Sequence, residues 1–198
     1  MNGLRAKTKE LIFQGALKAF ASKGFNETTM EQIAEICGVA KGTLYYNFKT
    51  KEDLYIFVME SGVQNFTMLI QDYIDVVPKD DFRTRVIRLI EAHLDFFQNE
   101  QDFCRMLLSR SWGTQDRHHT IRHVLQRYFV LLEHEMQAAK DSGQISAEFD
   151  VKVVSSSLFG MIGFTAMRAI IHEQSLDTPA LRHSLQNLAL HMLGIFEE

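Results

Sequence analysis

The stretch that decides the fold runs Thr29-Met30-Glu31-Gln32-Ile33-Ala34-Glu35-Ile36-Cys37-Gly38-Val39-Ala40-Lys41-Gly42-Thr43-Leu44-Tyr45-Tyr46-Asn47-Phe48-Lys49-Thr50-Lys51-Glu52-Asp53-Leu54. Thr29 followed three residues later by Gln32 is a capping box, and it opens a helix carrying Ile33, Ala34 and Ile36 that stops at Gly38. A second short helix fits Lys41 to Asn47. There Leu44 and Phe48, four apart, bury together and turn Thr43, Tyr45 and Tyr46 outward. Thr50 with Asp53 repeats the capping box and starts a long helix through Leu54, Phe57, Val58, Phe66, Leu69, Ile70 and Tyr73 that ends before Pro78. Upstream, Ile12, Phe13, Ala16, Leu17 and Phe20 form the apolar stripe of a helix from Arg5 to Lys23, with Gly24 as its stop and Phe25 placed to fold back on it.

Short capped helices interrupted at Gly38-Val39 suggest a helix-turn-helix, in which the second helix of the pair lies in a DNA major groove. The outward residues have the chemistry for it. Lys41, Lys49 and Lys51 can neutralise phosphates, while Thr43, Tyr45 and Tyr46 can hydrogen-bond to phosphates or base edges. Gly42, lacking a side chain, lets the helix start approach the sugar-phosphate backbone. Thr28 and Thr29, at the start of the preceding helix, complete the candidate DNA-binding set. The plainer alternative is a helical hairpin with a solvated lysine face.

Residues 5 to 55, with glycines, aromatics and lysines in register, closely resemble the DNA-binding domain of the TetR family of bacterial transcriptional regulators. The resemblance implies an all-helical homodimer whose first three helices bind a palindromic operator. It also implies that the remaining helices bind a small inducer and that the last two form a four-helix dimer interface. Ala40 departs from the pattern, standing where many members carry a Ser cap. That loss is expected to cost about 0.5–2 kcal/mol of local helix stability.

The rest of the chain is also expected to be helical. Phe82, Val86, Leu89, Ile90, His93, Leu94 and Phe97 form a regular stripe, and a shorter piece carries Phe103, Met106, Leu107 and Trp112 before Gly113. Ile121 to Met136 define a long helix stopped near Gly143. The segments from Asp150 to His172 and Thr178 to Phe196 are apolar nearly all round, so a partner subunit is expected to cover them, with Leu158, Ile162, Leu185, Leu188, Met192 and Ile195 as candidate interface residues. Phe66, His93, Phe97, Phe103, Met106, Trp112, Tyr128 and Met167 are candidates to line a pocket for a flat or greasy ligand. Most of them are expected to be simple core, and His93 in particular to be a hydrogen-bonded core histidine rather than a ligand-reading one. His119 and His123 have a metal-ligand spacing but no third ligand in view, so no metal and no cofactor are expected.

Composition bounds these readings. The 198 residues include only two prolines, and the two cysteines, Cys37 and Cys104, are too few for a disulfide framework or a zinc finger. No nucleophile elbow or phosphate-cradling glycine loop is present, which argues against an enzyme. Residues 1–10 lack the apolar run of a signal peptide, and the longest uncharged stretch, Val153 to Met167, falls short of the roughly 20 residues of a span, so a cytoplasmic location without membrane contact is expected. The net charge of -4 looks wrong for a DNA binder until it is divided. Residues 1–52 hold eight Lys and Arg against five Asp and Glu, a net of +3, and the remainder holds 13 against 20, a net of -7. A basic reading head is joined to an acidic body.

The expected architecture is therefore all-α with about nine helices: a DNA-binding helix-turn-helix domain over 1–50 and a ligand-binding and dimerisation domain over 51–198. The expected function is that of a ligand-responsive regulator, a repressor that binds a palindromic operator as a homodimer and is released by a small hydrophobic or aromatic molecule. The alternative is a DNA-binding platform of the same fold without an inducer.

Overall fold

The computed structural model describes residues 6–110 and 115–196, and the side chains of 108–122 lie outside that description. The candidate residue Trp112 and the side chain of His119 are therefore outside the described residues. Among those described there are nine helices and no strand: α1 Ala6–Glu27, α2 Met30–Cys37, α3 Lys41–Asn47, α4 Lys51–Ile74, α5 Phe82–Asn99, α6 Gln101–Arg110, α7 Gln115–Asp141, α8 Val151–Ile171 and α9 Pro179–Met192. They form two compact units, Met1–Gly62 with Asp102–Val124, and Val63–Gln101 with Leu125–Glu198.

In the first unit, Ile12, Ala16, Leu17 and Phe20 of α1 are buried, and α2 packs across this face and against α3. Gly15 permits the approach: a Cβ there would stand 2.5 Å from Cys37 Sγ. Cys37 is buried, and burial pushes its thiol up to about 11, a state suited to packing rather than chemistry. α1 breaks at Gly24 (φ 77°, ψ 167°), and Phe25 turns back so that its ring stacks on Phe20 at 5.7 Å. Both capping boxes form: Thr29 Oγ1 accepts from the Gln32 N–H while Gln32 Oε1 accepts from the Thr29 N–H, and Thr50 and Asp53 repeat the exchange at α4.

In the second unit α5 packs against α9 and α8. Its best-defined polar contact lies inside the apolar core. His93 is completely buried, its Nδ1 lies 2.6 Å from the Leu89 carbonyl and its Nε2 lies 2.8 Å from Tyr128 Oη. A carbonyl only accepts, so Nδ1 carries the hydrogen and donates it to Leu89, leaving Nε2 to accept from the tyrosine. Phe66 stacks on Tyr128 at a centroid distance of 5.3 Å and meets His93 edge-on at 4.8 Å, and Phe97 lies 5.5 Å from Phe66. A second buried polar contact closes the end of α4. Arg85 donates to the Ile74 and Val77 carbonyls at 2.7 and 2.8 Å and pairs with Glu135 at 2.6 Å.

Two expectations need correction. α9 ends at Met192 because Gly194 takes the left-handed conformation (φ 73°), leaving Ile195 and Phe196 beyond the helix. Of the candidate interface residues, Leu158, Ile162 and Leu185 are buried within their own chain. α5 and α9 take up one side of α8, so only the opposite side is left outward: Val153, Phe164 and Ile171 of α8 are exposed, as is Leu188 of α9, while Met192 and Ile195 are half-buried. α8, at 21 residues, is long and apolar enough to cross a membrane by length and composition, which the uncharged stretch alone did not suggest. Its packing on α5 and α9 accounts for the apolarity of one side, and the side carrying Val153, Phe164 and Ile171 stays exposed.

Burial holds the His93 imidazole well below its ordinary value, at about 4. The unfolded chain takes up a proton there below about 6.5, while the folded chain does not until about 4, so this group's contribution is complete above pH 6.5 and is lost as pH falls toward 4. The loss amounts to about 3 kcal/mol. Denaturant unfolding of the wild type is expected to weaken across that window. A His93→Gln variant is expected to have a flatter slope between pH 6.5 and 5, above the range in which carboxylates titrate, and an unchanged slope would refute the assignment.

Candidate nucleic-acid interface

α2 stops because Gly38 adopts the left-handed conformation (φ 65°), which lets its N–H and that of Val39 close on the Glu35 and Ala34 carbonyls at 3.1 Å each. The chain re-enters a helix at Lys41, with Ala40 as an N-cap that offers no side-chain acceptor, as its identity predicts. Leu44 is completely buried and Phe48 nearly so, with the Phe48 ring 5.0 Å from that of Phe57. These two residues fix the rotation of α3. Its other side faces solvent: Lys41, Gly42, Thr43, Tyr45 and Tyr46 are exposed, as is Lys49 just beyond, and Tyr46 keeps 72% of its surface accessible. The outward turn read from the sequence is the one the structure adopts.

Two members of the candidate set sit elsewhere. Thr28 is completely buried, its hydroxyl donating to the Gly24 carbonyl at 2.6 Å, so it closes the break after α1 rather than facing outward. Lys51 Nζ donates to the Asn26 and Thr28 carbonyls at 3.2 and 2.7 Å and lies 4.5 Å above the Phe25 ring. Its charge is committed to carbonyls left over at a helix end, a use that spacing alone cannot distinguish from phosphate contact. Thr29 is exposed but engaged in its capping box.

Sequence reasoning gave no role to Glu31. One of its carboxylate oxygens accepts from Lys41 Nζ at 2.6 Å and from Tyr45 Oη at 3.2 Å. The Lys41 ammonium holds this carboxyl at about 2, so it is ionised at any physiological pH. An acid in the first turn of α2 is visible in the sequence, but its reach to the first turn of α3 depends on the angle between the helices.

Of the candidate ligand residues, the second unit brings Phe66, His93, Phe97 and Tyr128 together, with Met167 half-buried on α8. Phe103 and Met106 belong to the first unit and are buried there. Met106 lines a cavity of about 260 Å³ with Phe20, Ala21, Gly24, Phe25, Tyr55 and Arg105. Among the described residues no three His, Cys, Asp or Glu side chains converge as metal ligands.

Comparison with known proteins places the chain. Residues 12–56 match the family described as bacterial regulatory proteins, tetR family, and residues 60–192 match the C-terminal region of YsiA-like proteins. The fatty acid metabolism regulator protein of Bacillus subtilis is 24% identical over 178 residues, 89% of this chain and 91% of that protein. The transcriptional regulator RutR of Escherichia coli is 32% identical over 102 residues, 51% of this chain and 48% of that one. Among solved structures, the fatty acid degradation regulator FadR of Bacillus halodurans superposes with a TM-score of 0.85 at 20% identity, covering 95% of this chain and 97% of that one. FadR of Bacillus subtilis, solved in complex with stearoyl-CoA, superposes with a TM-score of 0.82 at 21% identity over 95% of this chain and 99% of that one. With both parts of the chain matched and a helix-turn-helix presenting one exposed polar face, the chain belongs to the tetR family of bacterial regulatory proteins and is a ligand-responsive, DNA-binding transcriptional regulator.

Proposed function

We propose that this chain is a cytoplasmic repressor that binds a palindromic operator as a homodimer, seating one α3 from each protomer in successive major grooves roughly 34–36 Å apart. The observation that carries this reading is the single solvent face shared by Lys41, Gly42, Thr43, Tyr45, Tyr46 and Lys49, held in place by buried Leu44 and Phe48. Lysines supply phosphate contacts, and the tyrosine and threonine hydroxyls read base edges or phosphates. The functional boundary falls near residue 50, with 1–50 reading DNA and 51–198 binding effector and partner. It divides function rather than packing, because α6 and the start of α7 lie in the first compact unit. Lys49→Ala is expected to weaken operator and random duplex alike and to lower the salt slope by about one unit, whereas Tyr46→Ala changes sequence preference. Anisotropy titrations against the protein's own upstream DNA read both effects. Equal behaviour of the two variants on every sequence contradicts this division.

For dimerisation, the exposed apolar stripe of Val153, Phe164 and Ile171 on α8, continued by Leu188 on α9, supports a helical interface between two copies. The three α8 positions fall on one side of a helix. Placing a charge there, as in Ile171→Glu or Leu188→Glu, should convert a dimer to a monomer in sedimentation velocity while the helical circular dichroism persists. A dimer undisturbed by both changes rejects this face.

The effector is a long-chain acyl-CoA. The likeness to regulators named for fatty acid metabolism supports this, as does the apolar, aromatic interior of the second unit around Phe66, Phe97 and Tyr128. An acyl chain entering among these rings must separate them, which provides a route from binding to rearrangement of α4, α5 and α7. Stearoyl-CoA is expected to lower operator affinity and raise the unfolding temperature, with free CoA having neither effect. Binding at many dispersed genomic sites with no response to acyl-CoA is the result expected of a platform without an inducer, and it defeats the repressor reading.

A further inference from the structure

Glu31 is the only acidic side chain described in contact with the exposed face of α3, and it engages two of that face's polar groups at once. Its carboxylate accepts from Lys41 Nζ at 2.6 Å and from Tyr45 Oη at 3.2 Å. The lysine also leans over the Tyr45 ring at 5.6 Å. None of this network is buried. The Lys41 and Glu31 side chains keep 60% and 51% of their surfaces, so the pair holds no core together, and exposed ion pairs contribute little to stability.

Its position suggests another use. A lysine meeting DNA gains affinity from any phosphate, whatever the sequence, by releasing condensed counterions. A lysine already paired with a carboxylate gains less, because the pair must open and an acid must then sit beside the phosphates. We propose that Glu31 determines specificity by occupying Lys41 and Tyr45 in the free protein and yielding them only where operator contacts from the rest of the face compensate. Random duplex, offering phosphates without matched base edges, does not compensate, so non-specific binding is held down. This rests on the reading of the α3 face as the DNA interface, and it adds to that reading a residue of α2 that acts against binding.

The test compares Glu31→Gln with Glu35→Gln, a removal of equal charge from an exposed position on the same helix. Each is titrated against operator and random duplex over a range of salt, in wild-type and Lys41→Gln backgrounds. Glu31→Gln is expected to tighten random duplex about three- to tenfold, to steepen its salt slope by about one unit, and to lower the ratio of specific to non-specific affinity. Glu35→Gln should do markedly less, and in the Lys41→Gln background the two should become equal. The proposal is overturned if the two variants match in the wild-type background. It is also overturned if Glu31→Gln weakens operator binding alone, which would make Glu31 an acceptor for a base. Lys41→Gln taken alone separates the layers: an unchanged operator salt slope rejects Lys41 as a phosphate contact, whereas a lowered slope with an inert Glu31→Gln rejects only the gate. Thermal unfolding of each variant confirms that the comparison is made on folded protein.

Discussion

Three helix ends in the first unit meet at one ammonium group. Lys51 Nζ, at the start of α4, donates to carbonyls of Asn26 and Thr28 in the passage from α1 to α2, and its stem and charge lie on the ring of Phe25. The last carbonyls of a helix have no partner of their own and must find one or be hydrated. Supplying that partner from the first residue of another helix ties the start of α4 to the passage between α1 and α2. Thr28 completes the arrangement from beneath by closing on Gly24, the glycine whose positive φ makes the break possible. The outward presentation of α3 depends on this frame, because α3 itself is only seven residues long and has no side-chain cap. A helix that short is not stable alone.

The second unit solves a different problem. Its helices enclose aromatic rings together with the imidazole of His93 and the hydroxyl of Tyr128, which cannot reach water. A buried hydroxyl or imidazole without a partner costs about 1–3 kcal/mol, and the pair removes that cost by bonding to each other and to one helix carbonyl. The result is a His93–Tyr128 pair that is matched only in one relative setting of α5 and α7. Buried polar networks of this kind specify one arrangement of the elements that carry them.

Charge is divided along the chain rather than between these units. The basic excess lies in residues 1–52 and the acidic excess in the remainder, so the total of -4 conceals a net of +3 and a net of -7. Glu31 repeats that contrast on a local scale, an acid placed among the groups that should attract DNA most strongly.

Much of this was legible in the sequence because it depends on local rules. The capping boxes at Thr29 and Thr50, the glycine stop at Gly38, the uncapped start at Ala40 and the inward turn of Leu44 and Phe48 each depend on neighbours within one or two turns, where backbone geometry leaves few choices. The same locality makes about nine helices and the outward face of α3 readable from the sequence. What the sequence could not settle were partnerships between residues distant along the chain. Lys51 and Thr28 read as surface groups until the end of α1 was placed beside them. Leu158, Ile162 and Leu185 read as interface until α8 met α5 and α9 and took them inside, leaving Val153, Phe164, Ile171 and Leu188 on the surface. An all-round apolar helix carries no mark of which side its own chain will cover. Periodicity fixes which residues share a face, and only tertiary packing decides what that face meets.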